Sequence, residues 1–152
     1  MKAGDPAPGK ALLDVNVLIA LIDAEHVHHR PALEWLHRER SAGWASCPIT
    51  QNGCLRILSQ PAYPSSMPFI AVANALEALT SGAAHAFWPD DVSLLDGKLL
   101  RREHIHGHRQ LTDLYLLALA VRHGGRFVTL DVSITLSAVR GAADRNLVRL
   151  LD

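Results

Sequence analysis

Short apolar runs alternate with longer segments that carry apolar side chains on one side, and this pattern predicts alternating strands and helices. The first apolar run ends in an aspartate, Asp14, and leads into a second apolar stretch at 17–22. Strands are predicted at 11–14, 44–47, 85–88, 126–130 and 147–151. Helices are predicted at 32–40, 51–58, 69–79 and 113–123, with a short one near 134–139.

Residues that favour helix ends support these boundaries. Thr50 and Thr112 are predicted to cap the helices that follow them, because a threonine hydroxyl can accept from a free backbone N–H of the first turn. Glycines at 43, 82 and 124–125 mark the ends of three helices. Strands that alternate with helices in this way predict an α/β fold with a parallel sheet covered on both faces.

The chain is predicted to contain one domain. Residues 1–10 are polar and rich in proline and glycine, which predicts a flexible leader, and residues 11–152 form the domain. The segment 89–109 is polar and rich in histidine and arginine, so most of it is predicted to be a surface connection. Cys47 and Cys54 are expected to be reduced, packed thiols.

The composition limits how the chain can contact a polyanion. Lys+Arg and Asp+Glu both total 15, so no global positive field attracts nucleic acid, and such contact requires a local patch or a bound cation. No apolar stretch approaches the roughly 20 residues of a membrane span, and the first residues lack the apolar core of a signal peptide. We therefore expect a cytoplasmic protein without membrane contact.

Three aspartates are the strongest candidates for chemistry. Asp14 and Asp131 each end a predicted strand, and Asp113 is expected as the first residue of its helix. Ligands of parallel sheets bind beyond the carboxyl ends of the strands, so the three carboxylates are predicted to converge there. Each has another explanation when taken alone, as a turn residue, a helix-start charge or a helix cap.

Convergence of three carboxylates would require a bound proton or cation. Two like charges about 4 Å apart repel by roughly 4 kcal/mol at an effective dielectric near 20. Oxygen ligands favour Mg²⁺ or Mn²⁺ over zinc. The charge pattern therefore predicts a divalent metal site.

Four segments resemble the successive motifs of PIN-domain ribonucleases, and more narrowly the VapC toxins of bacterial toxin–antitoxin pairs. They are LLDVNVLI at 12–19, PITQNGCLRIL at 48–58, TDLYLLALA at 112–120 and VTLD at 128–131, within a match that spans roughly 11–140. The resemblance implies a three-layer α/β/α sandwich with a central parallel sheet. It also implies an endoribonuclease that uses metal-activated water, with Asp14, Asp113 and Asp131 as ligands of Mg²⁺ or Mn²⁺.

The resemblance further implies RNA as substrate, a homodimer and an inhibitory VapB-like antitoxin. One position departs from the pattern, because Gln51 stands where many relatives carry a glutamate early in the third helix. Gln51 is still a catalytic candidate, because its amide oxygen can accept from a metal-bound water or act as a weak ligand. It brings no negative charge and cannot act as a base, which favours one metal ion over two. A catalytically weak or inactive module that acts by binding RNA or a partner is therefore the alternative, and a DNA nuclease ranks below it.

Further side chains are candidates for supporting roles. Asn16 is a candidate to support the metal ligands, although asparagine is also a common turn residue. A cationic rim that meets RNA phosphates is predicted just before Asp113, and an ordinary solvated surface is the alternative. The rim comprises Arg101, Arg102, His108 and Arg109, with His104 and His106 beside them. The clustered histidines also suggest zinc, but a loop of exposed imidazoles is a poor source of fixed ligands.

Overall fold

The computed structural model of the protein, which describes residues 8–151, contains one sheet of five parallel strands. The strands are β1 (Ala11–Leu13), β2 (Trp44–Ser46), β3 (His85–Phe87), β4 (Arg126–Thr129) and β5 (Leu147–Arg149). Their order across the sheet is β3-β2-β1-β4-β5, so the earliest strand lies at the centre. All five predicted strands are confirmed, each one or two residues shorter than expected. The predicted leader lies mostly outside the described residues, since 1–7 are not described.

Five α-helices connect the strands. They are α1 (Val15–Ile22), α2 (His29–Glu39), α3 (Pro48–Leu58), α4 (Phe69–Thr80) and α5 (Leu111–Arg122). The helix predicted near 134–139 is a single 3-10 turn, Leu136–Ala138. Its C-terminal neighbour Val139 is extended and pairs with Leu100, which ends the turn.

The two faces of the sheet carry separate cores, because successive side chains of a strand point to opposite faces. Leu12 and Phe127 pack with the apolar residues of α5. Leu13 and Val128 pack on the other face, with the apolar residues of α1, α2, α3 and α4. The predicted three-layer α/β/α sandwich is therefore confirmed.

The expected cap of α3 is wrong. The helix begins at Pro48 rather than after Thr50, because proline has a fixed φ and no N–H and so suits the first helical position. Thr50 is the third residue of the helix. Its hydroxyl accepts from the Cys47 N–H at 3.0 Å and donates to the Cys47 carbonyl at 3.1 Å. Its side chain therefore closes the first turn from within.

The expected cap of α5 is also wrong. The single 3-10 turn His108–Gln110 leads directly into the helix, which begins at Leu111 instead of after Thr112. Asp113 is consequently the third helical residue and not the first. It still lies in the first turn, where unpaired backbone N–H groups favour a negative charge.

The segment 89–109 is more ordered than a surface connection. Leu100 is buried and forms an antiparallel bridge with Val139. Backbone hydrogen bonds from Arg101 to Ala138 and from Arg140 to Leu99 extend this bridge on both sides. The segment therefore packs over the face of the sheet that carries α5. Its polar composition gave no indication of this packing.

The two cysteines lie in the interior of the domain. Cys47 and Cys54 are both buried and free, as expected, and belong to the cores on opposite faces of the sheet. Between residues 8 and 151, no helix has the length and hydropathy needed to cross a bilayer.

Candidate functional site

The three aspartates lie at the carboxyl edge of the two central strands. Asp14 directly follows β1 and is the N-cap of α1. Asp131 follows the neighbouring strand β4 by two residues, and Asp113 lies in the first turn of α5. Because β1 and β4 pair in parallel, their ends bring Asp14 and Asp131 to the same edge of the sheet.

Asp14 is buried and held by two hydrogen bonds. One carboxylate oxygen accepts from the Val15 N–H at 2.7 Å, and the other accepts from the Thr129 hydroxyl at 2.7 Å. The side chain is only 6% exposed. Burial raises the pKa of Asp14, while the two hydrogen bonds oppose that rise and the charge of Asp131 adds to it.

Thr129 connects Asp14 to the turn that carries Asp131. Its fully buried hydroxyl donates to Asp14 and accepts from the Asp131 N–H at 3.0 Å and from the Asn16 amide at 3.3 Å. The Asn16 carbonyl oxygen in turn accepts from the Leu130 N–H at 3.3 Å. Asn16 therefore contacts Thr129 and the end of β4, and its predicted support of the metal ligands, which would act through Thr129, stays a prediction.

Asp131 is more accessible than Asp14 and is held by the residue two positions later. One of its oxygens accepts from both the N–H and the hydroxyl of Ser133, each at 2.8 Å. These two hydrogen bonds lower the pKa of Asp131, and a hydrogen bond with Asp113 lowers it further. Asp131 is therefore the member of the group that stays ionised most easily.

The third carboxyl group, that of Asp113, has a strongly raised pKa. Burial raises its pKa to about 7, and the charges of Asp14 and Asp131 together with a hydrogen bond to Asp131 contribute to that rise. Mutual effects on pKa of this kind require the three carboxyl groups to lie within interaction range. Three carboxyl groups from distant parts of the chain thus influence one another, and their joint role as metal ligands stays a prediction.

A small open cavity of about 210 Å³ lies beside two of these carboxylates. Asp113 and Asp131 contribute to its wall, whereas the buried Asp14 does not line it. The remaining lining residues are Arg109, Gln110, Leu114, Ser133, Ile134 and Thr135. The cavity combines two acidic side chains with one basic side chain, which suits a phosphate that approaches together with a cation.

In the part of the chain that the structure describes, no three His, Cys, Asp or Glu side chains are arranged as a preformed metal site. The donor set nevertheless fits a hard divalent cation. It consists of carboxylate oxygens, and their repulsion favours a proton on Asp113 until another positive charge replaces it. Binding of an ion would therefore require loss of that proton and a modest adjustment of the side chains.

The raised pKa of Asp113 predicts how its removal affects stability. A carboxyl whose pKa is about 7 in the folded protein and 3.8 in the unfolded chain destabilises the fold increasingly from about pH 4 to about pH 7. Asp113→Asn removes that cost. In EDTA at pH 8 we expect a melting temperature about 2–4 °C above the parent, or about 1 kcal/mol after allowing for solvent screening of a partly buried group. The gain should vanish near pH 4, and an equal shift at both pH values would contradict the coupling.

Gln51 is not placed among the three carboxylates by any contact in the structure. Its amide nitrogen donates to the Ser46 hydroxyl at 3.0 Å, and Ser46 is also hydrogen-bonded to His85 Nε2 at 2.8 Å. These contacts are with β2 and β3, whereas β4, the strand that leads to Asp131, lies on the other side of β1. A catalytic role for Gln51 therefore stays a prediction without support from its contacts.

The same segment contains a glycine that brings α3 close to α1. A Cβ at Gly53 would lie 2.7 Å from a methyl group of Val15, the residue directly after Asp14. Only a residue without a side chain allows this approach. Gly53 therefore packs the third helix against the start of the helix that Asp14 caps.

The predicted cationic rim is divided in the structure. Arg109 lines the cavity with Asp113 and Asp131. Arg101 and Arg102 instead donate to backbone carbonyls, those of Ser137 at 2.8 Å and Leu95 at 3.1 Å. His108 is exposed in the turn that precedes α5. Of the four predicted rim residues, only Arg109 lines the cavity with the carboxylates, while Arg101 and Arg102 bind backbone carbonyls instead.

Sequence reasoning missed Thr129 and Ser133 as part of this site. Both lie next to Asp131 in the chain, and Thr129 belongs to the same short motif, so a signal was present. Their small hydroxyls are also common in turns, and only the fold shows that Thr129 contacts Asp14, 115 positions away.

Comparison with known proteins gives a consistent result. The PIN domain family model matches residues 11–139. Ribonuclease VapC44 of Mycobacterium tuberculosis is 52% identical over 144 residues, covering 93% of this chain and 99% of the relative. Ribonuclease VapC39 of the same organism is 48% identical over 136 residues, covering 88% of this chain and 97% of the relative.

Solved structures share the fold at much lower identity. VapBC2 from Rickettsia felis, bound to a DNA fragment from its promoter, matches with a TM-score of 0.55 at 15% identity, covering 80% of this chain and 88% of the other. VapC20 of Mycobacterium tuberculosis, a toxin that cleaves the sarcin–ricin loop, matches with a TM-score of 0.53 at 10% identity, covering 82% of this chain and 90% of the other.

Proposed function

This chain belongs to the PIN domain family, and from that premise we propose that it is an endoribonuclease, the toxin of a toxin–antitoxin pair, whose cleavage depends on Mg²⁺ or Mn²⁺. The observation that carries the proposal is the group of three carboxylates in which the pKa of Asp113 is raised to about 7. Two relatives, 52% and 48% identical to this chain, are named ribonucleases, and the matches cover 99% and 97% of their lengths.

Asp14, Asp113 and Asp131 would hold the metal ion. When bound, the ion would supply activation of a water for attack on a phosphodiester and would offset the negative charge of the transition state. Asp131 is kept ionised by Ser133, and Asp14 is held in place by Thr129. Asp113 holds a proton near neutral pH and must release it before its carboxylate can contribute fully to cation binding.

Arg109 is the side chain best placed to contact the RNA backbone. It lines the same cavity as Asp113 and Asp131, and a guanidinium donates readily to phosphate oxygens. Because the chain has no net charge, one local cation beside the cleavage site matters more than it would in a basic protein. The exposed His108, which precedes Arg109 in the chain, is assigned to the same contact with the RNA backbone. Arg101 and Arg102 lie earlier in the segment 89–109 and would meet RNA farther from the cavity.

The proposed partners follow from family membership. A structural neighbour is the VapBC2 complex, so we assign this chain a VapB-like antitoxin as its inhibitor. The proposal also includes a homodimer that acts in the cytoplasm. Copurification of the chain with the product of a short adjacent reading frame tests the antitoxin. The mass of the free chain in solution tests the homodimer.

Incubation of the purified chain with total cellular RNA tests the activity directly. We expect defined cleavage fragments with Mn²⁺ or Mg²⁺ and none with EDTA, with sequencing of the fragment ends giving the preferred site. Cleavage at the same rate in EDTA would reject the role of the metal. Binding of Mn²⁺ without cleavage of any RNA would favour the alternative of a binding module that keeps the fold.

A further inference from the structure

The segment Asp131–Thr135 forms one wall of the cavity, and its two ends are fixed by different strands. At its start, the Asp131 N–H donates to Thr129 at the end of β4. Near its other end, the carbonyl oxygen of Ile134 accepts from Arg149 Nη2 at 3.1 Å. Arg149 belongs to β5 and pairs with Thr129 in the parallel register.

Resting on the proposed function, we infer that Arg149 is a positioning residue for catalysis, which holds the Asp131–Thr135 wall in place through its hydrogen bond to the Ile134 carbonyl. Thr129 and Arg149 are partners across two strands, and they fasten opposite ends of the same short segment. The position of the Asp131 carboxylate is therefore set by β5 as well as by β4.

The contact acts through the backbone and not through charge pairing. Two ion pairs are found within residues 8–151, and neither includes Arg149. A carbonyl of a short turn has no regular partner in a helix or sheet, so this charged donor decides where the turn lies.

The other hydrogen bonds of the wall cannot replace this one. Both bonds from Ser133 go to Asp131 itself, so they shape the turn internally without fixing it to the sheet. Among the described residues, the Thr135 carbonyl accepts only from the Ala138 N–H of the next turn, at 3.4 Å. Loss of the Arg149 bond would leave the wall held by Thr129 and by the buried Ile134 side chain, with nothing to fix the Ile134 carbonyl to β5. We therefore expect the chemical step to weaken more than RNA binding, because orientation of catalytic groups affects kcat strongly.

Arg149→Met, which keeps much of the aliphatic stem and removes the donors, tests this role. We expect kcat for RNA cleavage to fall about tenfold with KM within about twofold of the parent. Amide exchange of Ser133 should accelerate about fivefold or more, while exchange in β1 stays unchanged. The exchange measurement needs no cleavage, so it tests the role of Arg149 even if the proposed activity is wrong.

Arg140→Met is the matched control. The Arg140 Nε donates to the Gly97 carbonyl at 2.9 Å, which is the same kind of contact between two residues that do not line the cavity. We expect it to leave kcat and Ser133 exchange unchanged. If Arg149→Met behaves like Arg140→Met in both measurements, the inference is overturned.

Arg149→Lys covers the case in which the methionine variant does not fold. Lysine keeps the charge and the stem but loses the planar fork that reaches the carbonyl. A fall in kcat of about threefold with unchanged KM, together with faster Ser133 exchange, supports the positioning role. Parent values of kcat and of exchange in this variant would overturn it.

Discussion

Cleavage of RNA is expected to fall by at least about 100-fold in each of the variants Asp14→Asn, Asp113→Asn and Asp131→Asn, assayed with Mn²⁺ at pH 8. Each change removes one negative charge from the proposed metal site and replaces a carboxylate oxygen by an amide group. At pH 8 the Asp113 carboxyl, with its pKa of about 7, is mostly ionised, so the parent contributes three charges. The rate is measured with one RNA of defined sequence under single-turnover conditions.

Asp96→Asn provides a control for this series. One oxygen of Asp96 accepts from the N–H two residues later, that of Lys98, at 2.8 Å, as Asp131 does from Ser133. Asp96 lies on an exposed loop, so the substitution removes the charge of a similar turn carboxylate without touching the cavity. We expect parent activity from it. Folded Asp→Asn variants of the three site residues that cleave at the parent rate would show that the carboxylates do not bind the essential ion.

Mn²⁺ affinity separates loss of the metal from loss of the fold. The three variants should bind Mn²⁺ at least about tenfold more weakly than the parent by calorimetry while melting cooperatively. Asp113→Asn is informative here, because we expect it to be more stable than the parent in EDTA and yet inactive. Stability and activity that change in opposite directions mark a residue that serves function at a cost to the fold.

Much of the fold was predictable because the strands are short, apolar and separated by clear helices. Leu12-Leu13 and Phe127-Val128 are buried on both faces of the sheet, so they appear in the sequence as continuous apolar runs. The helix starts were less predictable. Pro48 and the 3-10 turn before Leu111 each begin a helix earlier than Thr50 and Thr112 suggested, since a threonine near a helix start also fits inside the first turn.

The candidate site was predictable in its charged members and not in the contacts between them. Asp14 and Asp131 end strands, and that cue requires only the pattern of the chain. The supporting contacts of Thr129 and Arg149 depend on which strands are neighbours, and β4 and β5 lie on the opposite side of β1 from β2 and β3. Gln51 is the opposite case. Its place in a motif suggested a catalytic role, and its hydrogen bond to Ser46 gives that role no support.

Thr129→Val is expected to have the largest effect on stability of any single change at the site. Valine matches threonine in shape and lacks the hydroxyl that joins Asp14, Asn16 and the Asp131 N–H. Leaving a buried carboxylate without its donor costs about 1–3 kcal/mol, and the two other groups lose their acceptor at the same time. We expect the melting temperature to fall by about 5–10 °C at pH 8 and RNA cleavage to fall about tenfold or more.

The loss in Thr129→Val should depend on pH in a defined direction. Burial already raises the pKa of Asp14, and the Thr129 hydrogen bond opposes that rise by favouring the ionised form. Without that bond the pKa of Asp14 rises further, so the ionised carboxylate destabilises the fold more strongly. The variant should therefore lose more stability at pH 8 than at acidic pH, where protonation of the Asp14 carboxyl removes the charge that the hydroxyl stabilises.

Thr129→Ser separates the hydroxyl from the methyl group. Serine keeps the donor to Asp14 and the acceptor for the Asp131 N–H, and its missing methyl costs about 1 kcal/mol in a buried position. We expect near-parent cleavage from it and a stability loss that does not change with pH. Equal losses in the serine and valine variants at pH 8 would assign the effect to packing. A pH-dependent loss in valine alone establishes that one buried hydroxyl keeps Asp14 ionised and ties it to the turn of Asp131.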